Sequence, residues 1–234
     1  MSHVEFTKEM KKTHTILVPM MLPIHFQFLR NILCKEGYRV EILKTEGQQI
    51  IDEGLKNVHN DTCYPALLVI GQMIDALKSG KYDTAHIALA ITQTGGGCRA
   101  SNYIHLLRKA LVQAGFEHVP VISVNFSQLE KNSGFKLTPK MLLRLLYAFL
   151  YGDMLMWIKN QCKPYELEKG STDALVTTWI DTITAQFDSL SYMRMKHNYQ
   201  EMLHDFAALP RSQKPKIQVG IVGEIYMKYA PLGN

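Results

Sequence analysis

Between residues 15 and 124, short apolar runs alternate with stretches of helical periodicity, and this alternation constrains the fold more than any other feature of the chain. Thr15-Ile16-Leu17-Val18-Pro19 reads as a first strand. Residues 24–35 follow, with Phe26, Leu29, Ile32 and Leu33 at helical spacing and Gly37 closing the helix. Arg39-Val40-Glu41-Ile42-Leu43 alternates as a second strand, and 48–55 reads as a short helix. Residues 65–79 read as a helix with Pro65 in its first turn and Gly80 past its end. A strand at 85–90, a helix at 102–114 ended by Gly115, and a strand at 119–124 complete the series. Strands joined through helices by short connections predict a parallel sheet covered by helices, doubly wound if the crossovers are right-handed.

After Ser127 the pattern becomes helical. Thr138-Pro139 predicts a helix start with Thr138 as N-cap, running to about Asn160. Ser171 is expected to cap a second long helical region reaching roughly Leu209. Residues 215–224, Pro215-Lys216-Ile217-Gln218-Val219-Gly220-Ile221-Val222-Gly223-Glu224, then resemble the opening strand. They read as the first strand of a second α/β lobe, which makes the chain a fragment; the other reading is a strand completing the first sheet. The expected organisation is an α/β lobe over 1–127, a helical lobe over 128–210 and the start of a truncated α/β lobe over 211–234.

A chain of 234 residues with 47% hydrophobic and 20% charged residues has the length and composition for a buried core. Its net charge of +5 is spread without a dense Lys/Arg block, which argues against nucleic acid as a partner. The four cysteines, Cys34, Cys63, Cys98 and Cys162, do not make a disulfide framework at this size. The start Met1-Ser2-His3-Val4-Glu5 has no apolar signal segment. The most apolar stretch, 141–158, is interrupted by Arg144, Gly152 and Asp153 and falls short of the ~20 apolar residues of a membrane span. We therefore expect a cytoplasmic protein with reduced thiols and no membrane partner. The apolar helix over 142–157 reads either as core or as a surface for a partner or a second copy.

Two cysteines stand in unusual loops, Asn60-Asp61-Thr62-Cys63-Tyr64-Pro65-Ala66 and Gln93-Thr94-Gly95-Gly96-Gly97-Cys98-Arg99-Ala100. Cys63 lies just before a helix with an early proline, where free N–H groups and the helix dipole favour a thiolate. Cys98 follows three glycines that allow the backbone to curl into a nest of N–H groups. Both loops lie at strand ends or before helices, where α/β folds place ligands. Two thiolates facing one point would suit an iron–sulfur cluster. Gly95, Gly96 and Gly97 could instead cradle a phosphate before the helix that follows, but neither G-x-G-x-x-G nor G-x-x-x-x-G-K-[ST] occurs. Arg99 is a candidate for binding a phosphate or carboxylate, or for a plain surface ion pair. Cys34 reads as core, and Cys162 as a surface thiol rather than a third ligand. His25, His59, His86 and His105 read as structural.

These loops, with Tyr151-Gly152-Asp153, Pro164-Tyr165-Glu166 and Val219-Gly220-Ile221-Val222-Gly223-Glu224, resemble the 2-hydroxyglutaryl-CoA dehydratase family. The likeness is greatest to the dehydratase-component-like portion of large activator-related proteins and extends over most of residues 14–230. The resemblance implies an α/β fold with a Rossmann-like parallel sheet, helices on both faces, and a helical lobe. It implies a 4Fe-4S or double-cubane cluster held by cysteines, with Cys63 and Cys98 matching cluster ligands. Gly95, Gly96, Gly97 and Arg99 would line that cofactor site. It further implies an ATP-hydrolysing activase partner that delivers a low-potential electron, and an acyl-CoA substrate. The family's further cysteine usually lies in the second lobe, so this chain is expected to carry part of a cluster site. The alternatives are a cluster-free regulatory or scaffold domain, or an acyl-CoA-binding lobe using the glycine loop and Arg99.

Overall fold

The structure, a computed structural model, describes residues 4–59, 61–92, 102–124, 133–220 and 222–233. It contains one four-stranded parallel sheet, with β1 (Thr15–Val18), β2 (Arg39–Ile42), β3 (Ile87–Thr92) and β4 (Val121–Val124) in the order β2-β1-β3-β4. Ile16 lies opposite Val40 and Ala88, and Ala90 opposite Ile122, so these residues share one face. Leu17, Leu89 and Val121 share the other. Both rows are buried, which is why the strands read as continuous apolar runs. The chain is thus an α/β fold with a parallel sheet, as the alternation predicts.

Five helices accompany these strands: α1 (Met10–Thr13), α2 (Pro23–Lys35), α3 (Gln48–Asn57), α4 (Tyr64–Lys78) and α5 (Tyr103–Ala114). The row of Leu17, Leu89 and Val121 joins Ile50 of α3, the apolar body of α4 and Leu107 and Leu111 of α5 in one core. Gly115, with φ of 81°, ends α5 in the left-handed conformation that glycine adopts without steric cost. β3 starts two residues later than its apolar pattern, because Asp83 accepts a hydrogen bond from the Ala85 amide and turns Thr84–His86 into a 3-10 helix.

The crossover from β2 to β3 consists of α3 and α4 packed backbone to backbone. A Cβ on Gly71 would collide with the Ile50 carbonyl oxygen, and one on Gly54 would stand 2.5 Å from the Leu67 carbonyl oxygen. The same two helices share an ion pair at their far end, where Lys78 Nζ lies 2.7 Å from Glu53 and Lys56 Nζ 3.1 Å from it. The Lys78 hydrogen bond outweighs partial burial and holds the Glu53 carboxyl below its usual range.

The chain divides into two compact units. The α/β unit comprises Met1–Pro23, Leu33–Lys136 and Gly223–Asn234, and the helical unit comprises Ile24–Ile32 and Leu137–Val222. The helical unit therefore covers residues 24–32 and 137–222, beside the helical lobe over 128–210 expected from sequence. It is built from the middle of α2 with α6 (Pro139–Cys162), α7 (Ser171–Gln186) and α8 (Met195–Ala208). Ala148, Tyr151, Leu155, Ile158 and Cys162 repeat at three- and four-residue steps along α6 and meet Phe28, Trp179, Ile183, Met202 and Phe206 in its core. Thr138 caps α6 as expected, accepting a hydrogen bond from the Met141 amide at 3.1 Å.

Three expectations for this region are corrected. The cap of α7 is not Ser171 but Glu166, whose carboxylate accepts from the amides of Gly170 at 2.8 Å and Thr172 at 3.0 Å. Those bonds hold its carboxyl below the usual range. The long helical region to Leu209 is two helices, because the chain turns at Phe187, whose carbonyl accepts from the buried Arg144 guanidinium at 2.5 Å. The strand expected at 215–224 is absent among the described residues, with Ile217, Val219 and Val222 respectively 94%, 79% and 90% exposed. Strand propensity alone, without a neighbouring ladder, does not make a strand. Residues 223–234 fall in the α/β unit, where α9 (Ile225–Tyr229) puts Tyr226 into the same core as α4.

Tyr151 sits at the centre of the helical unit. Its hydroxyl donates to the Tyr192 carbonyl at 2.6 Å and accepts from Asn198 Nδ2 at 2.7 Å. Next to it, Gly152 leaves room for the His25 ring, 2.6 Å from where a Cβ would stand, and Asp153 binds His25 Nε2 at 2.9 Å. Two predictions follow from this packing. Gly71→Ala should lower stability by about 1–3 kcal/mol, read as a lower urea midpoint at unchanged slope, because a backbone oxygen cannot yield to the methyl group; an unchanged midpoint contradicts the close α3–α4 contact. Burial pushes the Tyr151 phenol from its usual 10 up to about 12. The folded state thus favours the neutral phenol, so its contribution is complete below pH 10 and is lost as pH rises through 10 to about 12. Alkaline unfolding of Tyr151→Phe should show a shallower pH dependence than the parent.

Candidate functional site

Cys63 is the one proposed cluster ligand within the described residues; Gly95, Gly96, Gly97, Cys98 and Arg99 lie outside them. The approach to Cys63 is set by the close packing of α3 on α4. α3 ends where the Val58 amide bonds the Gly54 carbonyl, and the turn that follows is closed by the Thr62 amide on the His59 carbonyl at 3.0 Å. Cys63 then forms the N-cap of α4, with extended backbone at φ −62° and ψ 145°.

The local geometry narrows the set of N–H groups that the helix start can offer the sulfur. Free helix N–H groups were expected to favour a negative sulfur. Pro65 carries no N–H, and the amides of Ala66 and Leu67 both bond the Cys63 carbonyl oxygen, at 3.0 and 3.3 Å. The Cys63 side chain makes no cap bond. Its sulfur instead lies 3.3 Å from the hydroxyl of Tyr103, the first residue of α5. Tyr103 is buried and belongs to the core that Cys63 flanks. Sequence reasoning did not single out Tyr103: it lies three residues past the second cysteine loop, and only the fold brings it back to Cys63.

Gln72 was missed as well, though it carried a signal as the lone amide in the apolar run of α4. It is 1% exposed, donates to the Thr45 carbonyl at 2.9 Å and accepts from the Met20 amide at 3.3 Å. It thereby ties the segments that follow β1 and β2 to the helix that starts at Cys63.

The remaining candidates separate from this site. Cys34 was expected in the core and is exposed, because it lies two residues past the buried Ile32 and so on the far side of α2. Cys162 was expected at the surface and is 3% exposed, the last member of the α6 core stripe, with Arg211 Nη1 3.6 Å from its sulfur. Enclosed there, it offers no open coordination position. His25 is buried against Phe149 and held by Asp153, His59 lies 3.4 Å from Asp61, and His86 lies 2.6 Å from Asp83, so each has a structural partner. Among the described residues, no three His, Cys, Asp or Glu side chains are grouped as a metal site.

α6 has two characters. Its core stripe is buried, while Leu146, Phe149 and Trp157 are more than half exposed along the other side. By length and composition it is also long and apolar enough to cross a membrane, with 44% of its most apolar window buried.

Comparison with protein-family models, with curated proteins and with solved structures finds no match to this chain.

The thiol placements predict an order of modification. In the native protein a small alkylating reagent should label Cys34 readily and leave Cys162 untouched until denaturant is added, as read by peptide mass spectrometry. Labelling of Cys162 at the rate of Cys34 in the native state contradicts its place in the helical core.

Proposed function

We propose that the chain is an iron–sulfur cluster-binding component resembling 2-hydroxyacyl-CoA dehydratases or their activator-related homologues. In this reading it takes part in ATP-coupled low-potential electron transfer. The observation that supports it is the setting of Cys63: an unpaired thiol, partly exposed, at the entrance of a helix in a parallel α/β unit, with a phenol directed at its sulfur. That donor chemistry fits one thiolate ligand. Cys98, from the glycine loop, is the second ligand of the proposal, and Gly95, Gly96, Gly97 and Arg99 would line the same cofactor.

A bound cluster would supply one-electron chemistry at low potential. The chain's own part is to hold Cys63 at a fixed point. Gly54 and Gly71 set the helix pair, Gln72 ties the segments after β1 and β2 to α4, and Tyr103 fixes the direction of the sulfur. The proposed partners are an ATP-hydrolysing activase and an acyl-CoA substrate, and the proposed compartment is the cytoplasm, where thiols stay reduced.

Anaerobic purification followed by iron and sulfide assay and a visible spectrum tests the reading. The expected result is a brown protein with stoichiometric iron and sulfide, and loss of most of both in Cys63→Ser and in Cys98→Ser. A colourless, iron-free protein after anaerobic reconstitution, or iron content unaffected by either substitution, removes it.

A further inference from the structure

We propose that His14 and His86 form a two-imidazole site for one divalent transition-metal ion, of the borderline-soft class that includes Zn2+, at the amino ends of β1 and β3. The site is independent of the cluster reading and shares no residue with it. The register of the sheet brings the pair together. Thr15 of β1 lies opposite Ile87 of β3 in parallel pairing, so the residues one step earlier, His14 and His86, come side by side at the amino edge of the sheet. Their ring centres lie 5.6 Å apart at an interplanar angle of 62°. An imidazole bound through one nitrogen at ~2.1 Å holds its ring centre about 3.2 Å from the metal, so two in one coordination sphere stand roughly 4.5–5.6 Å apart. The pair is at the upper end of that range.

The hydrogen bonds around the rings decide which nitrogens are available. Asp83 Oδ2 lies 2.6 Å from His86 Nδ1, and a carboxylate only accepts, so that nitrogen carries the ring proton. Thr13 Oγ1 gives its own hydrogen to the Glu9 carbonyl at 3.4 Å and so accepts from His14 Nδ1 at 2.9 Å. Both Nε2 atoms then keep bare lone pairs, and neither has a hydrogen-bond partner among the described residues. A ligating histidine almost always has its second nitrogen tied in this way, often to a carboxylate. His14 is 8% exposed and packs edge-on against the buried Phe6, which holds its ring, while the exposed His86 leaves the approach open. No third His, Cys, Asp or Glu among the described residues joins them as a ligand, so water fills the remaining positions. Two imidazoles select zinc, nickel or copper over magnesium and calcium, which take oxygen donors. A bound ion ties the start of β1 to the turn before β3.

The test is a Zn2+ titration of the full chain, free of any histidine tag and carrying isotope-labelled histidine, at neutral pH. Proton–nitrogen correlation spectra resolve each ring, and all rings in the sample meet the same free Zn2+, whatever the thiols take up. His14 and His86 should respond together, at a Zn2+ concentration at least about tenfold below that of the exposed His118, because the second imidazole binds intramolecularly. In His86→Gln, which replaces an exposed side chain, the His14 midpoint should rise to that of His118. Mg2+ over the same range should move neither ring. Midpoints of His14 and His86 that differ, or that coincide with that of His118, overturn the proposal from the parent protein alone, even where the variant fails to fold. A His14 midpoint unchanged in His86→Gln, or an equal response to Mg2+, overturns it as well.

Discussion

The contact between the backbones of α3 and α4 governs the α/β unit. Two helices meet this closely only where side chains are missing on both sides, and Gly54 and Gly71 remove them at the crossing. The consequence reaches well beyond the crossing. A close pair covers a narrow strip of sheet, which leaves space beside it for α5 on the same core. It also forces the connection between α3 and α4 to be short and to turn sharply, and Cys63 is the residue at which that turn becomes helix. The start of α4, and Cys63 with it, is thus set by a crossing that two glycines make possible.

In the helical unit a polar cluster plays the comparable part. Tyr151, Asn198, Gln186 and the Tyr192 carbonyl satisfy one another within an otherwise apolar core. Such a cluster tolerates few alternative packings, because a shifted helix leaves buried polar atoms without partners. The tripeptide Tyr151-Gly152-Asp153 and the Glu166 cap gain a physical meaning here. The tyrosine anchors the core, the glycine admits His25, the aspartate binds it, and Glu166 starts the next helix. Residues that supported a family likeness are accounted for in this structure by packing and capping.

The sheet was legible because strands buried on both faces have to be apolar at every position, and because the intervening helices announce themselves through Pro65, Gly80 and Gly115. The fates of the thiols were not. Cys34 follows the apolar pair Ile32-Leu33 and Cys162 stands among polar neighbours, and what decides their exposure is angular position on a helix whose buried face is known only once its neighbours are placed. Ser171 had the residue type of a cap, but a carboxylate five residues earlier in the chain reached the same amides first. Residues 215–224 had strand composition, and composition says nothing about whether a ladder partner is at hand. Of the candidate site, the place of Cys63 just before a helix was legible, and its Tyr103 neighbour was not. That phenol comes from 40 residues further on, after the chain has run through α4 and β3 and into α5.

The unpaired run around Ile217, Val219 and Val222 gives the chain a solution behaviour distinct from that of its two compact units. Backbone groups with no ladder and β-branched side chains in water are the ingredients from which intermolecular sheets start. Lys214 and Lys216 precede the run, and Gly220 and Gly223 interrupt it, the kind of flanking charge and broken periodicity that slows stacking. The exposed apolar side chains of Ile217, Val219 and Val222 thus bear on how concentrated solutions of the protein behave, apart from anything in its two cores.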